Sequence, residues 1–374
     1  MGGGGDAGSS GSGAAGAAGG ASVCEGVWTA VPGVGDARGF AYANGTLHAI
    51  TFNGTSPHVA HIAPGETAWT DVTTSPPLYD DKPINNVSPA FEPWSLSVVS
   101  DKLVHVYAVR YGQSRTYRAA VIDPSTGAAT KVAEQVGVND FPAVTANATK
   151  VVAFGGLYGG LVQNGSCYGN ALTAVVDPLA ASTKGGSSSP LLGRERAHAG
   201  RAGEQLHFFG GQERLVSSGC ASANPIIDHF DDGAFFDPAT NLWGPRLEVL
   251  DEETTAVVSL GGRAAVLTAV SICTVAPGEP SLTCFKPGPD GYGVLGGHDT
   301  PIVHFGTSRG IVSANLVFQS AHVSDPTAKK VSPICPLPTK LESKNEPSPS
   351  DRFAAGAGDR GVVWGANGGF FFAF

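Results

Sequence analysis

Five consecutive residues, Asp228-His229-Phe230-Asp231-Asp232, gather three carboxylates and an imidazole. Carboxylate oxygens are the hard ligands that Ca2+ takes, so this run could hold a calcium ion. It has no EF-hand or RTX spacing, and a solvated acidic loop is the commoner meaning of so short a motif. A second pair, His298-Asp299, has the composition of a general base with its orienting carboxylate. Neither a nucleophile nor a G-x-S-x-G elbow accompanies it, which argues against catalysis. The third constellation is six cysteines: Cys24, Cys167, Cys220, Cys273, Cys284 and Cys335. Their even count, without a CxxC or a histidine at ligand spacing, favours disulfides over zinc. Disulfides belong to oxidising compartments, so the expectation is an exported protein in the periplasm, on the outer-membrane surface or outside the cell.

Composition narrows the partners. The 374 residues carry a net charge of −9 and no Lys/Arg-rich run, which argues against nucleic acid or an anionic membrane surface. No apolar run approaches the roughly 18 residues of a membrane span. Residues 1–22, MGGGGDAGSSGSGAAGAAGGAS, read as a flexible Gly/Ala/Ser tether with nothing to bury. Such tethers commonly follow the lipidated cysteine of bacterial lipoproteins, so Met1 either stands where that cysteine was or opens an ordinary flexible terminus, and membrane attachment is expected only through such an anchor. Residues 23–374 then form a single domain. Only 15% of residues are charged, with 52 Gly and 26 Pro, a combination that fits many short strands joined by turns.

The elements that must position these groups repeat. An Asp-Pro turn recurs at Asp123, Asp177, Asp237 and Asp325, and related turns stand near Gly65 and Asp290. Proline presets the turn dihedral and the Asp side chain caps it. An apolar strand precedes each turn: LHAITF, LVHVYAVRY, KVVAFGGL, QLHFFGG, RAAVLTAV and GVVWGANGG. Two of them end in Phe-Gly-Gly, at Phe154–Gly156 and Phe209–Gly211. A small-residue strand comes before each apolar one, and a short outer strand follows the turn. Units of four strands start near residues 36, 85, 139, 195, 251, 298 and 350, a period of about 50 residues as for propeller blades. Small residues suit the innermost strand, where blades crowd an axis. The lone Trp69 and Trp243 suit packing between blades.

RERAHAGRAGEQLHFFGGQ followed by FFDPATNLWGPR, residues 194–246, resembles a kelch repeat. The kelch pattern is an Arg strand, a Gly-Gly strand, a Tyr/Phe-Asp-Pro turn and a Trp. The resemblance implies an all-β propeller like the central domain of galactose oxidase, although the copper and modified-tyrosine constellation of that enzyme has no counterpart here. The chain stops at GGFFFAF without a fourth strand, and EGVWTAVPG around Trp28 supplies one at the other end. Closure of the last blade by the N-terminal strand leaves no open edge. The count is seven four-stranded blades. Six with a distorted insertion is the alternative, because the sixth unit is short.

Connections between the second and third strands share a face with those between blades. They read as long in blades three to five: LYGGLVQNGSCYGN, GQERLVSSGCASANPIIDHFDDG and SICTVAPGEPSLTC. Each carries cysteine, and long loops in a compact domain are functional or stapled. Cys167–Cys220 would link two neighbouring loops and Cys273–Cys284 would close the third. Cys24–Cys335 is left to tie the closing strand to the preceding blade. Tyr158, Tyr168, Arg214, Asp228, His229, Asp231 and Asp232, with His298 and Asp299 at the channel mouth, are the candidate ligand contacts. A ring of acids at the blade starts (Asp36, Asp81, Asp140, Glu195, Asp251, Asp299 and Asp351) could bind a polar ligand or simply cap turns. His48, His105 and His207 fall in second-strand patterns and read as structural. The functional expectation is a monomeric, non-catalytic propeller that binds a protein or a glycan, with no cofactor beyond a Ca2+ in the acidic run. The alternative is a glycan-active oxidase, lyase or hydrolase with residues at the channel mouth.

Overall fold

The computed structural model describes residues 24–374 apart from 54–55, 81–82, 84–87, 112–113, 133–134, 139–141, 164–165, 170, 216–225, 249–252, 288–300, 342–351 and 367. Seven four-stranded antiparallel sheets form the ring; six run from an inner to an outer strand in chain order, and the seventh takes its outer strand from Val27–Val31. Blade one is Asp36–Ala43, Thr46–Asn53, Ser56–Ile62 and Thr70–Thr73. Blade two is Ala90–Val99, Lys102–Tyr111, Ser114–Ile122 and Ala129–Lys131. Blade three is Ala143–Ala146, Val151–Phe154, Thr173–Asp177 and Ser182–Gly185. Blade four is His198–Ala202, Gln205–Phe209, Asp232–Asp237 and Leu242–Glu248. Blade five is Thr254–Leu260, Arg263–Thr268, Ile272–Val275 and Thr283–Phe285. Blade six is Ile302–Thr307, Gly310–Asn315, Ala321–Asp325 and Lys330–Pro333. Blade seven is Phe353–Ala357, Arg360–Gly365 and Gly368–Ala373, completed by Val27–Val31.

The ring therefore has seven blades, and the short sixth unit is a complete sheet. Closure is antiparallel, with Val27 opposite Ala373, Trp28 opposite Phe372 and Val31 opposite Gly369. The Cys24–Cys335 bridge and a Cys335 N–H to Glu25 carbonyl bond of 2.9 Å tie that closing strand to the segment after blade six. Both agree with the sequence reading. One turn differs. Blade five turns between Val275 and Thr283, not near Asp290, which lies outside the described residues.

Seven apolar clusters form the core, one at each seam between adjacent blades. Second strands such as Val151–Phe154 are buried throughout because neighbours cover both faces. The inner strands approach one another backbone to backbone. A Cβ at Gly306 would collide with the Ser259 carbonyl oxygen, so only glycine fits there. Tryptophans lock the seams directionally. From the outer side of blade four, Trp243 Nε1 donates to Thr173 Oγ1 of blade three at 3.1 Å. From blade one, Trp69 Nε1 donates to the Pro32 carbonyl at 2.8 Å, and from the closing strand Trp28 Nε1 donates to the Cys335 carbonyl at 2.7 Å. All three bonds run to the preceding blade or the chain leaving it.

The Asp-Pro turns work as the composition predicts. Asp325 Oδ1 accepts from the Thr327 and Ala328 N–H groups at 2.8 and 3.0 Å, and Asp177 Oδ1 accepts from Leu179 and Ala180 at 3.0 and 3.2 Å. At Asp123 the other oxygen accepts from Lys102 Nζ at 2.6 Å. That ammonium, with the Ser125 hydroxyl, holds the carboxyl well below the usual carboxylate range.

Candidate functional site: the rim of blades three and four

Each Phe-Gly-Gly run marks the place where the chain leaves its blade. Gly155 and Gly156 have φ of +79° and +105°, and Gly210 and Gly211 have +62° and +91°, values that side-chain-bearing residues rarely adopt. The turned-out backbone is stitched at once. Gly156 N–H donates to the Arg194 carbonyl at 2.8 Å, Gly210 N–H to Asp232 at 3.0 Å, and Phe230 N–H to Gly211 at 3.0 Å.

Beyond these stems each loop folds as a hairpin, Leu157–Gln163 with Ser166–Gly169 in blade three and Gln212–Leu215 with Ile226–His229 in blade four. The hairpins then pair with each other, Ser166 opposite Leu215 and Cys167 opposite Arg214. The result is an eighth four-stranded sheet, standing outside the ring and spanning two blades.

A buried ionic group lies under its base. Arg194 and Asp232 are 0% and 1% exposed. Arg194 Nη1 donates to Asp232 Oδ1 at 2.6 Å and to the Gly210 carbonyl at 3.1 Å, and its Nε donates to the Leu192 carbonyl at 3.0 Å. Its guanidinium lies 4.1 Å from the centre of the Phe230 ring. Arg246 Nε takes the other Asp232 oxygen at 2.5 Å. Burial lowers the pKa of Arg194, and the Asp232 carboxylate opposes that shift. Beside it, the buried Glu195 accepts from Gln212 Nε2 at 2.6 Å and also pairs with Gln212 through the backbone. His229 reaches Glu253 of the next inter-blade connection at 2.9 Å.

The expected ligand residues separate into groups. Tyr158, Tyr168 and Arg214 sit on strands of the rim sheet. Asp228, His229 and Asp231 are exposed at its base. Asp228 faces Glu213 across the strands, and partial burial together with the Asp228 charge pushes the Glu213 carboxyl upward. Asp232 does not join them. Its side chain turns inward and both oxygens are held by guanidinium groups, so the three carboxylates considered for Ca2+ do not converge. Among the described residues, no group of three or more His, Cys, Asp or Glu could hold a metal. His298, Asp299 and Cys220, and with Cys220 the Cys167–Cys220 bridge, lie outside the described residues.

The loop expected in blade five needs correction. Cys273 and Cys284 are bridged, but they are directly opposed on the third and fourth strands, and the second-to-third connection is short. The β-prone run Ile272–Val275 pairs with the second strand instead of looping out, so only blades three and four contribute to the rim. Sequence reading missed Arg246 and Glu253 as partners of the acidic run, and it quoted Arg194 only as part of a repeat motif. Like charges crowded at Asp231 and Asp232 were the available signal, because two adjacent acids in an apolar flank need cations.

No protein-family model matches this chain, and no curated protein matches it. The kelch resemblance rests on the residues of the fourth blade.

Proposed function

We propose that this chain is a non-catalytic binding propeller, kelch-like in its fourth blade, on an exported protein with a lipid anchor at its N-terminal tether. Its ligand surface is the rim of blades three and four. The two disulfides support the oxidising compartment. The single observation behind the assignment of the surface is the shared rim sheet. Ring closure needs no chain there, yet two blades spend their longest second-to-third connections on one joint structure. Long, organised loops on a rigid scaffold are where recognition concentrates.

Tyr158, Tyr168 and Arg214 would supply aromatic and guanidinium anchors, and Asp228, His229 and Asp231 the polar rim, for a protein or glycan partner. His298 and Asp299 remain candidates at the channel mouth. The protein would act as a monomer. Protein and glycan arrays probed with the full chain, with and without Ca2+, and with a variant whose two hairpins are cut to tight turns, test this reading. Binding should be lost in the shortened, still-folded variant. Unchanged binding places the function on another surface.

A further inference from the structure

Blade one carries two histidines that the ring does not use. His48, on the strand Thr46–Asn53, lies directly opposite His61, on the strand Ser56–Ile62. Both rings are half-buried, with centres 6.0 Å apart. Nδ1 of each is buried and has no hydrogen-bond partner among the described residues. An imidazole nitrogen without a partner is costly to bury, and here one cross-strand pair carries two of them. The third histidine of the blade behaves differently. His58 points to the opposite face of its strand, where Asp71 lies 3.2 Å and the Thr73 hydroxyl 3.4 Å from its Nδ1.

We propose that His48 and His61 form a two-imidazole site for a divalent transition-metal ion such as Zn2+, clamping the second and third strands of blade one. Directly opposed strand positions hold side chains about 5 Å apart at Cβ, within reach of one ion. Metal–nitrogen bonds of about 2.0–2.1 Å put two ligating imidazoles at about 5–6 Å between ring centres, which the pair already matches. Imidazole selects zinc, copper and nickel over calcium or magnesium. The chain's charge of −9 favours any cation. Two protein ligands leave the remaining positions to water or to an incoming group. The pair lies beside the first-to-second and third-to-fourth turns, on the face away from the rim, so this site is independent of the proposed ligand surface.

The test is calorimetric titration of the full chain with Zn2+ in a non-chelating buffer, with histidine-ring NMR as a second readout. One saturable site per chain is expected. H48A and H61A should each weaken it at least about tenfold, whereas H58A should leave it intact. His48→Gln, which keeps bulk and polarity, guards against misfolding of H48A and should weaken binding equally. Zn2+ should also perturb the His48 and His61 ring signals first. Binding of equal affinity in folded H48Q and H61A, or no saturable binding by the parent, overturns the proposal.

Discussion

Blades four and six are both complete four-stranded sheets, but different forces hold them. Blade four is pinned by directional polar contacts: the buried Arg194–Asp232–Arg246 group, the Glu195–Gln212 bond and the Trp243 indole donating into blade three. Among the described residues blade six has no such buried ionic group, although the Trp28 indole donates to the Cys335 carbonyl beside it. Its seam with blade seven is an apolar cluster of Val312, Ile334, Leu337, Leu341, Phe370 and Phe372, backed by the Cys24–Cys335 bridge. Apolar packing stabilises a seam without fixing the direction of anything beyond it. Ionic and amide pins fix direction, at a desolvation cost. Among the described residues the buried ionic pins lie beneath the rim sheet, whereas apolar packing, the Trp28 hydrogen bond and a covalent tie hold the ring shut.

The largest effect that tests this contrast is at the closure. Removing residues 1–22 should leave the melting temperature unchanged, whereas removing residues 1–31 should abolish cooperative unfolding, because it strips blade seven of its outer strand and exposes an edge. Next comes the pin. Asp232→Ala should cost about 3–5 kcal/mol, since it strands two guanidiniums, one of them fully buried. Chemical denaturation measures the loss, and rim amides should lose protection together. Removing the closing bridge with C24S/C335S should cost about 2–4 kcal/mol while leaving the native ring shut, as its near-ultraviolet circular dichroism would report.

The last effect, absent at neutral pH, is acid sensitivity. His105, bonded to Tyr79 and Ser95, and His207, wedged against Phe209 and Phe235, are both held down to about pKa 4 by burial. The unfolded chain binds these protons near pH 6.5, so stability from neutral imidazoles is full above that value. It falls as pH drops toward 4, by up to about 3 kcal/mol per histidine. Among the described residues His207 has no hydrogen-bond partner for either nitrogen. His207→Leu should flatten the pH 6.5-to-4 decline in denaturation midpoint, and His105→Leu should also cost stability at pH 7 by orphaning its partners.

Much of the ring was legible because its signals are local. Asp-Pro turns recur in four blades and Phe-Gly-Gly in two, small-residue strands precede apolar ones, and the aromatic run Phe370–Phe374 pointed to the strand around Trp28 as its partner. Pairings that depend on distant segments were not legible. Asp-His-Phe-Asp-Asp reads as a solvated run until Arg194, 38 residues earlier, is seen beside Asp232. Nothing local says that Cys167 and Arg214 share a ladder, because strand propensity names no partner. The cysteine segment of blade five failed for the opposite reason. Its length suggested a loop, while Ile272, Thr274 and Val275 had the β-branched composition of a strand.

The central claim is that the two hairpins act as one sheet, and amide hydrogen exchange tests it most directly. Cutting the blade-four hairpin alone to a tight turn should speed exchange across Ser166–Gly169 in blade three, while Val151–Phe154 beneath it stays protected. Unchanged protection of Ser166–Gly169 would mean that the hairpins are independent, and would contradict the account.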